Sequence, residues 1–583
     1  MKSPATIWQE KSYDRESARL FETALNLAPL LSKLLAGRKI ESVTEAENFI
    51  SPKLAHLQDP FDITNMEQAV ERIKDAIKRK EKILLVGDYD VDGLSSVSIL
   101  QKILTDLGGQ SSLIIPRRKD EGYGLTIAVL KRGLKKKGFS LVIALDCGTN
   151  SVEEAVFLHK SGIDLIVVDH HQAKEEVSNI PIILNPHLLD DPEATWFNLC
   201  TAGLAFKLAH GIIKSLKREG FNIPEKIDLK EYLPLSALGT IADLVPLQKE
   251  NRIISKFGLK HLGFNPSTGL NALIQESKID RNSYPKSEDI TFKLAPMINA
   301  CGRMDDPTIA TSLFLENDAV RCKKLAGKMN EYNEKRKFIE SQLTEETQAQ
   351  AENLFADKVA LVAHGDGEYW NPGVVGIVAG KLANFLRKPC LILAKSENGE
   401  YRGSGRGVKG LDLVQALSQC KNFLLHWGGH PIAVGLSISE ENLEEFTKNF
   451  LIAVEKQIGT NAPDQHFVID TYIQQNQLRE GLLVEIEKLA PFGQGNPEPV
   501  LAIEKVRLNG KPKVVGSGEH FQFSVHNGRE AVTGIAWRMV ENIPPCDQEI
   551  DIAFRLQWNH WNQRKRLQMV MDSWKIHETF NEK

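Results

Sequence analysis

Between residues 68 and 250, short apolar runs rich in β-branched residues alternate with stretches of helical periodicity. The pattern predicts helix over Val70–Lys80, strand at 83–86, helix over Leu94–Leu107, strand at 113–115, helix over Thr126–Lys136, strand at 141–145, helix over Val152–His159 and strand at 165–168. Strands that are apolar throughout and separated by helices predict a parallel α/β sheet covered on both faces. A polar helical pattern follows over Lys328–Leu354 and can start as early as Cys322, since one interior glycine such as Gly327 costs only ~1 kcal/mol. It reads as a helix that connects two domains. A second, smaller α/β block spans about 358 to 455, with strands at Val359–Val362 and Cys390–Leu393. After the Pro/Gly-rich stretch Pro491–Pro499 the period drops to two, as in Phe521–Val525 and Ile552–Leu556, which predicts a small β-barrel. Ahead of the first sheet, one amphipathic stretch, Ala18–Leu35, and a loop at Asp59–Pro60 read as an N-terminal cap. The division is therefore 1–65 cap, 66–320 parallel-sheet domain, 321–355 connecting helix, 356–460 second α/β domain and 461–583 β domain.

The 583 residues suit several cores, and the net charge of -4 excludes a protein that coats nucleic acid by bulk charge. Anion binding has to be local. Seven scattered cysteines, none spaced CxxC, predict neither a disulfide framework nor a zinc finger and fit a reducing cytoplasm. No leader-like segment and no run of membrane-spanning length is visible, so a soluble, non-exported chain is expected.

Chemistry enters where strands end. The run Ile83–Val86 leads into Gly87-Asp88-Tyr89-Asp90-Val91-Asp92-Gly93, the run Leu141–Leu145 into Asp146, and the run Leu165–Val168 into Asp169-His170-His171. In an open parallel sheet the carboxyl ends of neighbouring strands meet at one crevice, where ligands bind. Asp243, after the apolar helical stretch Gly239–Ala242, is a plausible addition. Each piece alone has a plain explanation: DxDxDG is often a helix cap or solvated turn, and an acid after a helix is commonly just hydrated. Three such pieces in order at strand ends favour a shared site. So many acids cannot all ionise without cations. Oxygen-rich ligation with imidazole and no thiolate selects Mg²⁺ or Mn²⁺, expected as two ions, and paired divalent ions suit hydrolysis of phosphate esters.

Other segments suggest how a polyanion would be held. Arg402-Gly-Ser404-Gly-Arg406-Gly-Val-Lys409 combines glycine-rich backbone with cationic side chains, a phosphate-binding composition that is by itself more often a tight turn. Ala379-Gly380-Lys381-Leu382 lacks the glycine spacing and hydroxyl of a P-loop, so no ATP requirement is expected. Arg117-Arg118-Lys119 with Tyr123, Lys131-Arg132 and Lys135-Lys136-Lys137 are candidate residues of a nucleic-acid groove. A solvated helix face also explains each charge run and is favoured for the lysine run, whereas Arg117-Arg118 is better placed because its loop follows a strand of the acid-bearing sheet. Trp537, Trp558, Trp561 and Trp574, with Lys511, Lys513 and Arg564–Arg566, give the β domain the composition of a single-strand platform, although several of these tryptophans suit a core.

The order of these motifs resembles the DHH phosphoesterase superfamily, named for the triplet that stands here as Asp169-His170-His171, and within it the RecJ family. That likeness runs from about residue 80 to the C-terminus. It also rests on Asn299-Ala-Cys-Gly-Arg303-Met, Ser404-Gly-Arg406, Gly428-Gly-His430-Pro-Ile-Ala-Val-Gly435 and the Pro-Phe-Gly-Gln-Gly-Asn-Pro stretch at 491–497. The resemblance implies that Asp90, Asp92, Asp146, His170 and Asp243 ligate a metal pair, with Asp88 a further ligand or close partner. It makes His171 a group near the scissile phosphate, and Asp169 the acid that orients the histidines. Arg303, Ser404, Arg406 and His430 become phosphate or DNA ligands, in addition to Arg117 and Arg118 placed by their loop, and the last domain becomes an OB-fold. The function implied is removal of nucleotides from the 5′ end of single-stranded DNA in recombination and repair, by a monomer assisted by a single-strand-binding protein and a helicase. Two rivals are weighed: a DHH phosphodiesterase for oligoribonucleotides or cyclic dinucleotides, which has less need of the β domain, and a DNA-binding scaffold, in which ligands would have been lost.

Overall fold

The computed structural model describes residues 7–577 apart from 119–120, 137, 174–179, 222, 226, 280–283, 397, 460–465 and 562–563. Lys119 and Lys137, two of the groove candidates, lie outside the described residues, as do the side chains of Trp561 and Arg564. Among the described residues no helix is long and apolar enough to cross a membrane.

The first sheet has five parallel strands, β1 (Lys82–Gly87), β2 (Gln110–Ile114), β3 (Phe139–Leu145), β4 (Asp164–Val168) and β5 (Ile182–Leu184), in the order β2-β1-β3-β4-β5. Alternate residues feed two different cores: Ile83, Leu85, Ile143, Leu145, Ile166 and Val168 on one face, and Leu84, Val86, Val142, Ala144, Leu165 and Val167 on the other. Burial on both faces is why the strands read as continuous apolar runs. The first of these cores is completed by α1 (Val91–Asp106), α2 (Thr201–Arg218), α3 (Leu233–Ala242) and α4 (Lys249–Phe264). Because β2 and β3 flank β1 on opposite sides, the chain reverses direction across the sheet there. The crevice this opens at the carboxyl ends of β1 and β3 is the usual ligand position of such sheets.

A further helix, α5 (Ala295–Met304), precedes α6 (Ala319–Leu354), which runs for 36 residues. At ~1.5 Å per residue α6 is about 54 Å long. Asp318 caps it by accepting a hydrogen bond from the Arg321 amide, and Gly327 sits mid-helix with open space beside it. Cys322, Ala326, Met329 and Tyr332 belong to the first domain's core, whereas Ile339, Leu343 and Ala351 pack with the second domain. One helix thereby fixes two domains. The second sheet contains β6 (Leu361–Gly365), β7 (Cys390–Lys395), β8 (Glu400–Arg406), β9 (Leu424–His430) and β10 (Ala433–Ser439), ordered β9-β10-β8-β7-β6, with α7 (Val375–Leu386) against one face. The C-terminal domain is a seven-stranded, largely antiparallel sheet.

Several local expectations change. The stretch Ala18–Leu35 is two helices, Arg15–Leu25 and Pro29–Ala36, because Asn26 turns left-handed and Pro29 restarts the helix at its first turn. The strand expected at 359–362 occupies Leu361–Gly365 and the one at 113–115 occupies Gln110–Ile114. Residues 402–406 are no tight turn: they belong to the middle strand β8, and their backbone groups pair with β7 and β10. The glycines are there for clearance, since a Cβ on Gly403 would lie 2.2 Å from the Ile392 carbonyl oxygen. Gly428–His430 close strand β9, and the turn that follows falls on Pro431–Ile432. The N-terminal helices share one core with the C-terminal sheet, where Phe21, Leu31 and Leu35 join Leu501, Phe521 and Phe554.

Candidate metal centre and nucleic-acid cleft

Asp88 leaves the end of β1, and Asp90 caps α1 by accepting from the Gly93 amide at 3.1 Å. Gly93 has to be glycine, since a Cβ there would come 2.7 Å from the Asp88 backbone. Asp92, inside the first turn of α1, is clamped by the Thr201 and Ala202 amides at the start of α2, each at 2.8 Å. Asp146 follows β3 with a left-handed φ of 63°, a strained position for an aspartate, and its Oδ1 accepts from the Thr201 hydroxyl at 3.0 Å. Asp243 caps α3. The His170 Nε2 lies 3.5 Å from both Asp146 and Asp243 and 3.8 Å from Asp92.

Three overlapping triads result: Asp88, Asp90 and Asp146; Asp92, His170 and Asp243; and Asp146, His170 and His171, with ligand atoms within 4.8 Å of one another in each. Asp146 and His170 connect the first two triads through the third. Asp169 lies behind them. It accepts from the Thr149 amide at 3.1 Å, the His170 amide at 2.8 Å, the His171 amide at 3.2 Å and the His171 ring Nδ1 at 2.7 Å. That leaves the His171 Nε2 facing outward, 3.3 Å from the Tyr123 hydroxyl. His187 reaches the His170 carbonyl at 2.5 Å, and Asn185 holds the His171 carbonyl at 2.8 Å.

The electrostatics follow from burial. Desolvation and then mutual repulsion push the carboxyls of Asp88 and Asp146 well above the usual range, and Asp243 up to about 8. Burial also raises Asp92, although His170 opposes it, and lowers His170, favouring the neutral ring that a metal ligand needs. Burial works against charge on Asp169 and His171 as well, yet their shared hydrogen bond wins, lowering Asp169 and lifting His171 to about 9. Both Asp88 carboxylate oxygens and the His170 Nε2 are buried with no hydrogen-bond partner. Buried polar atoms normally find partners, so acceptors left open among like charges fit divalent cations. Aspartate oxygens with imidazole and no thiolate match Mg²⁺ or Mn²⁺.

Beside this centre, a cleft of about 980 Å³ opens between the two α/β domains. It is lined by Arg117, Arg118 and Arg303 from one side and Arg402, Ser404 and His426 from the other. Arg118 also sits over the Tyr89 ring, 5.4 Å from its centroid. Arg303 donates to the Gly373 carbonyl at 2.8 Å, tying α5 to the segment before α7, and burial lowers its guanidinium to about 10. Arg406 and His430 lie outside this lining. Arg406 shares its strand face with Ser404 against Gly376 of α7, while His430 is exposed at the end of β9. Arg132 is no groove residue, being tied to Glu121 and to the Ile115 carbonyl. In the C-terminal domain Trp537 is exposed, whereas Trp558 and Trp574 pack on the core. Sequence reasoning passed over His426, which the β9–β10 register sets on one side of Ser437 with Arg402 on the other, so that all three line the cleft. It also passed over Thr201, whose backbone and hydroxyl reach two of the acids.

Residues 82–240 match the model of the DHH family N-terminal domain and residues 353–456 that of the DHHA1 domain, so fold and site together define a DHH-family protein. Residues 469–573 match the RecJ OB domain. The chain belongs to the RecJ family. It is 32% identical over 575 residues to the single-stranded-DNA-specific exonuclease RecJ of Bacillus subtilis, covering 97% of this chain and 70% of that one. It is 29% identical to RecJ of Salmonella typhimurium over 96% of this chain and 98% of that one. The crystal structure of Thermus thermophilus RecJ in complex with Mn²⁺ superimposes with a TM-score of 0.82 at 25% identity, covering 98% of this chain and 80% of that one.

Proposed function

We propose that the chain is a divalent-metal-dependent exonuclease that hydrolyses phosphodiester bonds of single-stranded DNA from the 5′ end, in recombination and repair. The observation that carries this reading is the two linked acid triads standing beside an arginine-lined cleft, in a chain that also has a RecJ OB domain. Asp88, Asp90 and Asp146 would hold one cation and Asp92, His170 and Asp243 the other; bound there, Mg²⁺ or Mn²⁺ would supply Lewis-acid stabilisation of the phosphoryl oxygens and a more acidic water.

The chain's own residues supply the rest. Arg118 and Arg303 with Ser404 would hold phosphate groups across the cleft by charge-assisted hydrogen bonds. Arg406, on the same strand face as Ser404, and the exposed His430 would extend that surface, as would Arg117. Asp169 fixes the His171 ring through Nδ1, so the His171 Nε2 is the atom presented to substrate, able to hydrogen-bond a phosphoryl oxygen or donate a proton to the departing one. Tyr89 and Tyr123 lie edge to face beside this position and would offer base-stacking surface.

On the same proposal the chain is a cytoplasmic monomer that works with a single-strand-binding protein and a helicase; its free cysteines fit a reducing compartment. The test is a metal-dependent digestion comparing 5′-blocked and 3′-blocked single strands of DNA and RNA. Loss of digestion only when the DNA 5′ end is blocked is the expected result. Activity confined to di- to tetranucleotides would replace this reading with a small-substrate phosphodiesterase.

A further inference from the structure

The Pro491–Pro497 stretch is absorbed by neither the metal centre nor the cleft, yet it touches the segment that carries Asp243. After Asp243 the chain passes through Leu244, at a left-handed φ of 59°, and then Val245 and Pro246 to Leu247. The Leu247 amide donates to the Gln494 carbonyl at 2.8 Å and the Gln248 side chain to the Gly495 carbonyl at 2.9 Å. A Cβ on Gly493 would meet the Leu247 Cδ1 at 2.7 Å, and one on Gly495 would meet Pro246 at 3.1 Å. The turn closes on itself through reciprocal Gly493–Asn496 backbone bonds, and buried Asn496 donates to the Leu489 and Pro491 carbonyls at 2.8 Å each.

Two arginines, Arg252 buried and Arg38 half-buried, hold this turn against its neighbours. Arg252, one turn into α4, is 2% exposed and donates to the Ala490 carbonyl at 2.9 Å and the Phe49 carbonyl at 2.7 Å while lying 3.7 Å over the Phe49 ring. Arg38, in the turn after the helix Pro29–Ala36, donates to the Asn496 Oδ1 at 2.8 Å and the Pro497 carbonyl at 2.9 Å. N-terminal helices, first domain and C-terminal domain therefore meet at one turn. Asp92 and Asp146 are oriented by α2, but among the described residues no hydrogen bond orients the Asp243 carboxylate, so its main chain has to.

We propose that the Pro491–Pro497 turn is a positioning element for Asp243, through which docking of the C-terminal domain sets occupancy of the Asp92–His170–Asp243 cation position. This rests on the metal-pair reading above. The experiment is a Mn²⁺ titration of the full chain, followed by electron paramagnetic resonance of the free ion, on the wild type and on Gly493→Ala, Gln248→Leu and Asn496→Ala, with thermal unfolding in parallel. In Gly493→Ala and Asn496→Ala one of two Mn²⁺ dissociation constants rises by about 10-fold while the other holds, the size typical of losing a residue that orients a metal ligand. Gln248→Leu moves the same constant by a smaller factor, and nuclease activity returns at saturating Mn²⁺. Should Asn496→Ala not fold, Gly493→Ala, on an exposed turn, carries the test. A lower unfolding midpoint with both constants unmoved makes the turn merely structural and overturns the proposal. A wild type that binds a single ion removes the metal pair instead, and the proposal with it.

Discussion

Asp243 shows what a single residue contributes in its setting. Its carboxyl is pushed up to about 8, chiefly by burial and then by Asp92 and Asp90. The folded metal-free protein therefore keeps a proton that the unfolded chain loses near the ordinary value of 3.8. Below that value both states are protonated and nothing is lost. Stability then falls as pH rises toward about 8. Metal reverses the balance, because ions and protons compete for the same oxygens. Metal-free protein should thus unfold at lower temperature at pH 8 than at pH 5, and Mn²⁺ binding should release protons, measured by calorimetry in buffers of different ionisation enthalpy; pH-independent binding without proton release would contradict this. His171 acts on the substrate side, so His171→Ala should lower kcat by about 10²-fold or more while leaving Mn²⁺ uptake largely intact. Single-turnover rates and metal titration separate the two effects. The acids and histidines were legible in the sequence because each ends an apolar run. Thr201 was not, since it lies 55 residues from Asp146 and only folding brings them together.

At the scale of elements, close packing of helices sets the acids in place. A Cβ on Gly239 of α3 would come 2.5 Å from both the Ala202 Cβ and the Asp92 Oδ1. Gly239→Ala should therefore destabilise the protein by about 1–3 kcal/mol, as overpacking does, and should also weaken metal binding by displacing Asp92. Denaturant unfolding and Mn²⁺ titration read the two effects, and a variant normal in both would show that α3 can shift freely. The parallel strands and the connecting helix followed directly from periodicity. Strand β8 did not: in Arg402-Gly-Ser404-Gly-Arg406 the glycines that signal a loop are there because neighbouring strands leave no room for a Cβ. Local composition does not distinguish those two reasons for glycine.

At the scale of the whole molecule, α6 holds two α/β domains either side of a cationic cleft, and the chain's two ends close into one core. That last contact had no local signal, because Phe21 and Phe521 each look like an ordinary buried aromatic. The cleft makes strand binding a matter of charge. Arg402→Ala should weaken single-strand binding and reduce the slope of log affinity against log salt by about 0.7, the value for one phosphate contact on a single strand. A slope equal to that of the wild type would place Arg402 outside the strand's path. The central claim is that the acid cluster performs the hydrolysis while the cleft and C-terminal domain hold the strand, and Asp146→Ala separates these most directly. With Mn²⁺ and a 5′-labelled single strand, the variant should bind the DNA with nearly wild-type affinity and cleave it at least about 10³-fold more slowly, a loss in the range that charge-stabilising groups supply. Retained cleavage would contradict the assignment.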